Sequence, residues 1–358
     1  MAQALRLAER GRGSTHPNPR VGCVIVHKGK VVGEGFHERA GEPHAEIHAL
    51  RAAGDKSRGA DVFVTLEPCC HHGRTGPCVQ SLLAARPHKV WVAMQDPNPK
   101  VAGEGIAQLR DAGIEVEVGL MQAEAEKLNR GFVSRMTRGR PFVTLKLAAS
   151  LDGRTATAAG ESRWITSEEA RADVHRLRAE AGAVLTSSAT VAADDPELTV
   201  RGQGVSRQPD RIVLDTHLRS SLDAKVWARG ARRILLTVRP RGDQVDELKQ
   251  RGIEVQLVGL GAGGHVDLNS ALASLGRMEI NEVLVECGPR LAGAFLQAGL
   301  VDELLLYLAP ALLGHEARAL AELPQLARLD QRIKLRFTDV AKIGPDLRIT
   351  AAPERKAS

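Results

Sequence analysis

The chain has 358 residues, 43% of them hydrophobic and 26% charged, with a formal net charge of +6. That length exceeds one ordinary core and predicts two domains, and the balance is that of a globular chain in water. Aromatics at 3% and the lack of any run of five basic residues argue against a platform for single-stranded nucleic acid, leaving a small phosphorylated ligand at least as good an explanation of the positive charge.

Three of the five cysteines fall in one ten-residue segment, which looks like metal binding rather than a secreted disulfide framework. Residues 1–12 are charged and lack an apolar core, so no signal peptide is expected. The longest apolar run, 304–313, is far short of the ~18 residues that cross a bilayer. A cytoplasmic location is expected.

Residues 21–26, Val-Gly-Cys-Val-Ile-Val, read as a buried strand, 28–30 as a hairpin turn and 31–35 as its return. A short helix over 45–53 opens on His44. Residues 61–66 form a second buried strand that ends at Glu67-Pro68-Cys69, and Cys78 precedes a helix over 79–85.

A neutral imidazole and two thiolates are the ligand set of a tetrahedral zinc with one position left for water. Zinc lowers the pKa of that water from ~15.7 to ~7. Glu46, two residues from His44, is better placed to shuttle protons than to bind metal. The order His-x-Glu followed by Pro-Cys and a further Cys is that of the zinc deaminases, with the Glu as general acid and base. Here the last two thiols are separated by eight residues instead of two. His71 and His72 could replace one ligand, but the spacing favours Cys69 and Cys78. Cys70 and Cys23 read as small buried hydrophobes.

A strand over 89–94, a helix over 105–112 and a strand over 114–118 complete a three-layer α/β pattern, with metal corners at helix N-termini that favour thiolate over thiol. A polar helix is expected over 123–135. The boundary falls at Arg138-Gly139-Arg140-Pro141, giving domains 1–138 and 139–358.

The second domain opens with a strand at 142–148. A helix over 167–180 follows, with Ser167 as N-cap and acidic residues in its first turn. Strands are expected at 183–186, 211–214, 233–237, 254–257 and 282–285. Gly288 to Gly293 then opens a helix directly after the strand ending at Cys287, a corner where free N–H groups face an anion; Gly288 and Gly293 would allow close approach of a nucleotide. This is not the G-x-G-x-x-G fingerprint, so a Rossmann domain is not supported. Polar loops at 150–154, 160–165, 187–191 and 194–196 follow strands, where open α/β sheets bind ligands; Asp-Gly and Asp-Pro are also ordinary turn dipeptides. The residues alone reach a nucleotide or phosphate pocket.

The runs His16-Pro17-Asn18-Pro19-Arg20-Val21-Gly22-Cys23, Pro43-His44-Ala45-Glu46, and Glu67-Pro68-Cys69-Cys70-His71-His72-Gly73-Arg74-Thr75-Gly76-Pro77-Cys78 resemble the deaminase domain of riboflavin biosynthesis. The eight-residue insert separates it from cytidine and tRNA adenosine deaminases. Residues 144–154, Ser162-Arg163-Trp164-Ile165-Thr166-Ser167, and 189–196 are similar to its fused reductase partner. The resemblance covers about residues 2–350. Cys70 and Gly76 depart from the more usual Ser and Pro, and the chain begins a few residues late for the family, which would shorten the first helix.

The resemblance implies an α/β protein with an N-terminal cytidine-deaminase-like α/β/α domain and a C-terminal dihydrofolate-reductase-like domain. The first would deaminate 2,5-diamino-6-(5-phosphoribosylamino)pyrimidin-4-one using Zn²⁺. The second would use NADPH to reduce the ribosyl group of 5-amino-6-(5-phosphoribosylamino)uracil to ribityl. On this sequence, Ala148, Trp164, Thr190, Asp194, Thr216 and Gly288, Pro289, Arg290, Leu291, Ala292, Gly293 and Ala294 would contact the nucleotide. Ser162, Arg178, Leu198, Arg201 and Glu286 would contact the phosphoribosyl substrate, with Arg178 and Arg201 as planar forks for its phosphate. Asn18, His37 and Arg74 are the candidates for substrate contacts in the deaminase domain. A homo-oligomer with no nucleic-acid or membrane partner is expected. A nucleic-acid-editing deaminase would need an extended basic surface, and a dead scaffold is hard to reconcile with an intact Glu46, ligand trio and Gly288 loop.

Overall fold

The computed structural model describes all residues except 72–75, 100, 203–206, 241 and 355–358. It divides into two units, Met1–Arg140 and Pro141–Ser358.

The first unit runs α1 (Ala2–Glu9), β1 (Gly22–His27), β2 (Lys30–Phe36), α2 (Ala45–Ala53), β3 (Asp61–Val64), α3 (Cys78–Ala85), β4 (Lys89–Val92), α4 (Glu104–Asp111), β5 (Glu115–Val118), α5 (Gln122–Leu128) and α6 (Arg130–Arg138). Its strands form one sheet in the order β2-β1-β3-β4-β5, antiparallel across β2, β1 and β3 and parallel from β3 to β5. Period-two alternation sends Val62, Val64, Val90 and Val92 into a core shared with Ala45, Ala49 and Ala53 of α2. On the other face Phe63 stacks on Trp91, with ring centroids 5.8 Å apart. Helix α2 lies very close to β2: a Cβ on Gly35 would sit 2.4 Å from the Ala45 carbonyl oxygen. That approach fixes the N-terminus of α2, and with it His44 and Glu46.

The single helix expected over 123–135 is two helices. Asn129 stands at the junction, its side chain accepting from the Arg20 N–H (2.8 Å) and donating to the Arg20 carbonyl (2.9 Å). A short polar side chain that bonds to a distant backbone competes with helix continuation.

The second unit runs β6 (Phe142–Ser150), β7 (Arg154–Ala156), α7 (Glu168–Ala181), β8 (Ala183–Ser187), α8 (Ser188–Asp194), β9 (Asp210–Leu214), β10 (Arg233–Thr237), α9 (Gly242–Gln250), β11 (Glu254–Leu257), α10 (Leu268–Arg277), β12 (Glu282–Glu286), α11 (Pro289–Gln297), β13 (Glu303–Ala309), β14 (Arg318–Ala319), β15 (Leu335–Ile343) and β16 (Asp346–Pro353). Nine of these strands form a sheet ordered β11-β10-β9-β8-β12-β6-β13-β16-β15. From β11 to β13 all neighbours are parallel, and the near-continuous apolar runs of β8, β9, β10 and β12 are buried on both faces. The antiparallel hairpin β15–β16 closes one edge.

Helix α7 starts as the sequence predicts, with the Ser167 hydroxyl accepting from the Ala170 N–H. It is pinned to the sheet through Asp173, which accepts from Tyr307 Oη (2.6 Å) and from Arg348 Nη1 (2.9 Å). No helix among the described residues is long and apolar enough to cross a membrane.

Candidate metal centre and anion pocket

In the first unit, His44 occupies the N-cap position of α2 in extended backbone, and Cys78 begins α3. Cys69 follows β3 at the same end of the sheet. His44 Nδ1 lies 3.3 Å from Cys78 Sγ and 3.5 Å from Cys69 Sγ, and all three donor atoms fall within 4.8 Å of one another. Ligands ~2.0–2.3 Å from a common tetrahedral cation have such separations, so the trio fits zinc. The charge state agrees. The Cys69 thiol is drawn down to about 4, chiefly by its hydrogen bond with Cys78, whereas Cys78 is pushed up by the same bond. Alone the two sulfurs share one negative charge; a cation between them lets both carry one. Among the described residues no other group of this kind was found. His71 is exposed, and His72 lies outside the described residues.

Glu46 is 3% exposed, in the first turn of the helix that His44 caps. Burial pushes its carboxyl up, and His44 pulls the other way. A raised carboxyl is the stronger base toward the water proton, the direction that proton shuttling requires.

The sequence-predicted Asn18 and His37 come together beside His44. The His37 and His44 rings meet edge to face, with centroids 5.3 Å apart. His37 Nδ1 lies 3.3 Å from the Pro43 carbonyl, which can only accept, so Nδ1 carries the proton. Its Nε2 then accepts from Asn18 Nδ2 at 3.1 Å. Burial lowers the His37 pKa and keeps the ring neutral. The Asn18 Oδ1 takes no part in that bond. Arg74 lies outside the described residues.

One residue with a structural hold on this site escaped the sequence reading. Glu67, buried two residues before Cys69, accepts four backbone N–H bonds. Asp96 and Gly103 donate to its Oε2 (3.0 Å each), while Gly105 and Ile106 donate to its Oε1 (2.9 and 3.2 Å). It ties the Cys69 corner to the start of α4, where the carboxylate also meets the positive end of the helix dipole. The signal was an acidic residue ending an otherwise apolar strand.

In the second unit, the candidate residues gather at the C-terminal ends of β6, β8, β9 and β12. Ser187 and Thr190 share a hydroxyl contact of 3.1 Å, and Thr190 Oγ1 accepts from the Gly288 N–H at 3.3 Å, joining the α8 and α11 corners. Gly288 is the N-cap of α11, with no side chain capping the helix, and a Cβ there would meet nothing within 4 Å. This is the open corner expected for an anion. Thr216 closes the end of β9, its Oγ1 accepting from the Val266 N–H. Asp194 ends α8, and its carbonyl accepts from Arg163. Trp164 is exposed, with Arg171 4.5 Å over its ring. Ala148 and Ser162 are half-buried.

The structure adds constraints on several of these residues. A Cβ on Gly293 would sit 1.9 Å from the Glu322 carbonyl oxygen, so its small size serves packing against residue 322. Ala292 is buried in the core, and Arg290 pairs with Glu322 at 3.6 Å. The Leu198 side chain is buried against Val184 and Val191, which leaves only its backbone, at φ +53°, for a ligand.

Arg178 does not present a free fork. Its Nε and Nη2 donate to Glu286 Oε1 (2.6 Å) and Oε2 (3.0 Å), and its Nη1 donates to the Thr199 carbonyl (2.9 Å). Arg178 and Glu286 are therefore one buried bidentate pair. Lys146, which the sequence reading passed over, adds a second cation 3.9 Å from Glu286. Burial lowers the Lys146 pKa, with Glu286 opposing. Its signal was a lone charge inside the apolar run Leu145-Lys146-Leu147. Arg201 is exposed; its backbone N–H donates to His175 Nδ1 at 3.3 Å, which brings it beside the Arg178 cluster.

The sequence profile of the cytidine and deoxycytidylate deaminase zinc-binding region matches residues 1–94, and that of the RibD C-terminal domain matches residues 141–349. The riboflavin biosynthesis protein RibD of Escherichia coli is 50% identical across 97% of this chain and 96% of its own length. A solved structure of RibD from Acinetobacter baumannii is 44% identical, covers 99% of this chain and 98% of that one, and superposes with a TM-score of 0.92. The Thermotoga maritima diaminohydroxyphosphoribosylaminopyrimidine deaminase/5-amino-6-(5-phosphoribosylamino)uracil reductase is 33% identical, covers 99% and 97%, and superposes with a TM-score of 0.86.

Proposed function

We propose a residue-level division of labour for this chain, which belongs to the RibD family of riboflavin biosynthesis proteins, bifunctional enzymes with a zinc-binding deaminase half and an NADPH-dependent reductase half. Residues 1–138 deaminate 2,5-diamino-6-(5-phosphoribosylamino)pyrimidin-4-one. Residues 139–358 reduce the ribosyl group of 5-amino-6-(5-phosphoribosylamino)uracil to ribityl. The observation that carries the reading is the trio His44, Cys69 and Cys78 with buried Glu46 on the same helix end.

When bound, zinc supplies Lewis acidity that makes hydroxide available near neutral pH for attack on the amino-bearing ring carbon. Glu46 takes the water proton, passes a proton to the ring nitrogen and then one to the departing ammonia. Neutral His37 fixes the Asn18 amide, whose Oδ1 faces the pyrimidine.

In the second unit NADPH, when bound, supplies the hydride. The ring-opened phosphoribosylamine offers a C=N carbon to receive it, so the chain's work is to hold two anions with their reactive carbons in contact. The Gly288 corner and Thr190 grip the cofactor pyrophosphate. Arg201 grips the substrate phosphate, and the Arg178–Glu286 pair orients the sugar and base. The substrate is a small phosphoribosyl pyrimidine and not a nucleic acid or a membrane. The enzyme works in the cytoplasm as a homo-oligomer.

A coupled assay of ammonia release and NADPH oxidation on one substrate tests the whole reading; activity on cytidine or tRNA alone would overturn it. Arg201→Ala removes one charge-assisted phosphate contact, worth about 1.5–3 kcal/mol, or roughly tenfold to a hundredfold in affinity. The substrate KM should rise by that factor with NADPH binding nearly unchanged, and the reverse pattern would mean the two anion sites are exchanged. Cutting the chain near Gly139 should leave a reductase fragment that turns over pre-deaminated substrate without zinc. Chelator sensitivity of that fragment would refute the independence of the halves.

A further inference from the structure

The imidazole of His175 meets two backbone groups that make opposite demands on one atom. Helix α7 carries the ring half-buried, one turn before Arg178. Its Nδ1 lies 3.2 Å from the Thr199 carbonyl oxygen and 3.3 Å from the Arg201 nitrogen. The carbonyl can only accept, so the first contact needs a proton on Nδ1. The Arg201 N–H can only donate, so the second needs a lone pair there. Either neutral tautomer satisfies one contact and sets like against like in the other.

The segment that bears both groups has little freedom to relieve this conflict. The Thr199 carbonyl also accepts from Arg178 Nη1 at 2.9 Å, and its hydroxyl donates to Glu197 Oε2 at 3.1 Å. Val200 donates to Gln208 Oε1 (2.7 Å) and accepts from Gln208 Nε2 (2.9 Å). The Leu198 side chain is anchored in the core. Charges reach the ring from several elements. Burial first, then Arg178 on the same helix and Arg201 on the facing segment, lower its pKa. Glu286 at the end of β12 pulls the other way, but Arg178 and Lys146 of β6 already share that carboxylate. Glu197, beside Thr199, acts on Arg178. The ring is therefore neutral at pH 7 until a further anion offsets the two arginines.

We propose that His175 is a positioning residue of the phosphoribosyl site: the arriving phosphate takes over the Arg201 N–H, while Nδ1 gains a proton from solvent and donates it to the Thr199 carbonyl. That carbonyl has two lone pairs and accepts from Arg178 and His175 together. Both bonds are then charge-assisted, and the segment that presents Arg201 is held in one place. The inference deepens the reading that Arg201 holds the substrate phosphate and rests on it.

Titration calorimetry of the full zinc-loaded chain with ribose 5-phosphate, in buffers of different ionisation enthalpy, counts the protons taken up on binding. The second pKa of a phosphate monoester is about 6, so above pH 7 the ligand itself adds little to the count. Wild type should take up about half a proton or more per site at pH 7, and a proton bound with the ligand makes affinity fall as pH rises, here roughly threefold to tenfold from pH 7 to 8. His175→Asn places an amide where Nδ1 stands, which keeps one neutral hydrogen bond and cannot charge. It should bind the sugar phosphate about tenfold more weakly, with no proton uptake and a flat pH dependence, while normal NADPH binding reports its folding. Wild type that binds without uptake, or uptake that persists in the variant, overturns the role of His175. Failure of ribose 5-phosphate to bind, or binding that Arg201→Ala leaves unchanged, overturns instead the phosphate reading beneath it.

Discussion

Glu46→Gln should retain stoichiometric zinc and oxidise NADPH normally on pre-deaminated substrate, yet release ammonia ~10²–10⁴ times more slowly. The three readouts separate because they depend on different atoms. The metal is held by His44, Cys69 and Cys78, whose donor atoms converge without Glu46. The reductase residues belong to the other unit. Gln keeps the shape of the side chain and its place on the first turn of α2, but its amide neither accepts a proton from water nor returns one to nitrogen. Glu46 is almost fully enclosed, so bulk water is poorly placed to substitute as base. Zinc content by atomic absorption, ammonia release and NADPH oxidation on the same preparation decide the matter. Near-normal deamination with zinc in place would remove Glu46 from its role, whereas lost zinc would make it a structural support of the site.

The deaminase corner could be read from the chain because its parts are short, adjacent and ordered by local rules. His44 caps a helix, Glu46 follows on its first turn, and Cys69 and Cys78 sit at a strand end and a helix start. Each placement needs only period and capping. Glu67 was missed because its task is long-range: the N–H groups that it accepts begin 29 residues later. The same limit explains Arg178. Alone it reads as a phosphate fork, and only the folded sheet brings it to Glu286, 108 residues away, to form a pair. Gly293 shows the converse limit. A glycine beside a candidate nucleotide loop invites a ligand, yet the atom that requires it to be small is the carbonyl of Glu322. Strands β13, β15 and β16 went unread for another reason. The run 304–313 gives no period to distinguish strand from helix, and the alternation in β15 is shifted by a bulge between Phe337 and Asp339.

Glu286→Gln should lower the stability of the second unit by roughly 3 kcal/mol at neutral pH and raise the substrate KM. Burial alone would push the Glu286 carboxyl up. The attraction of Arg178 and then Lys146, with the hydrogen bonds from Arg178, outweighs it and holds the pKa at about 2. The ordinary value is 4.5, and a gap of that size corresponds to roughly 3 kcal/mol. Because the folded value is depressed, the contribution is present above about 4.5 and is lost as the pH falls through about 2. The amide removes the charge but leaves both cations in place, a buried imbalance of the kind that costs 3–5 kcal/mol when one partner of an ion pair is deleted. The difference between wild type and variant should therefore stay constant from neutral pH to about 5, narrow below that, and vanish near pH 2. Calorimetry that resolves the second unit's own transition is the appropriate measurement, since two units need not unfold together. A difference that did not change with pH would place the effect in packing instead of charge, and the Arg178–Glu286–Lys146 cluster would lose its claim to orient the substrate electrostatically.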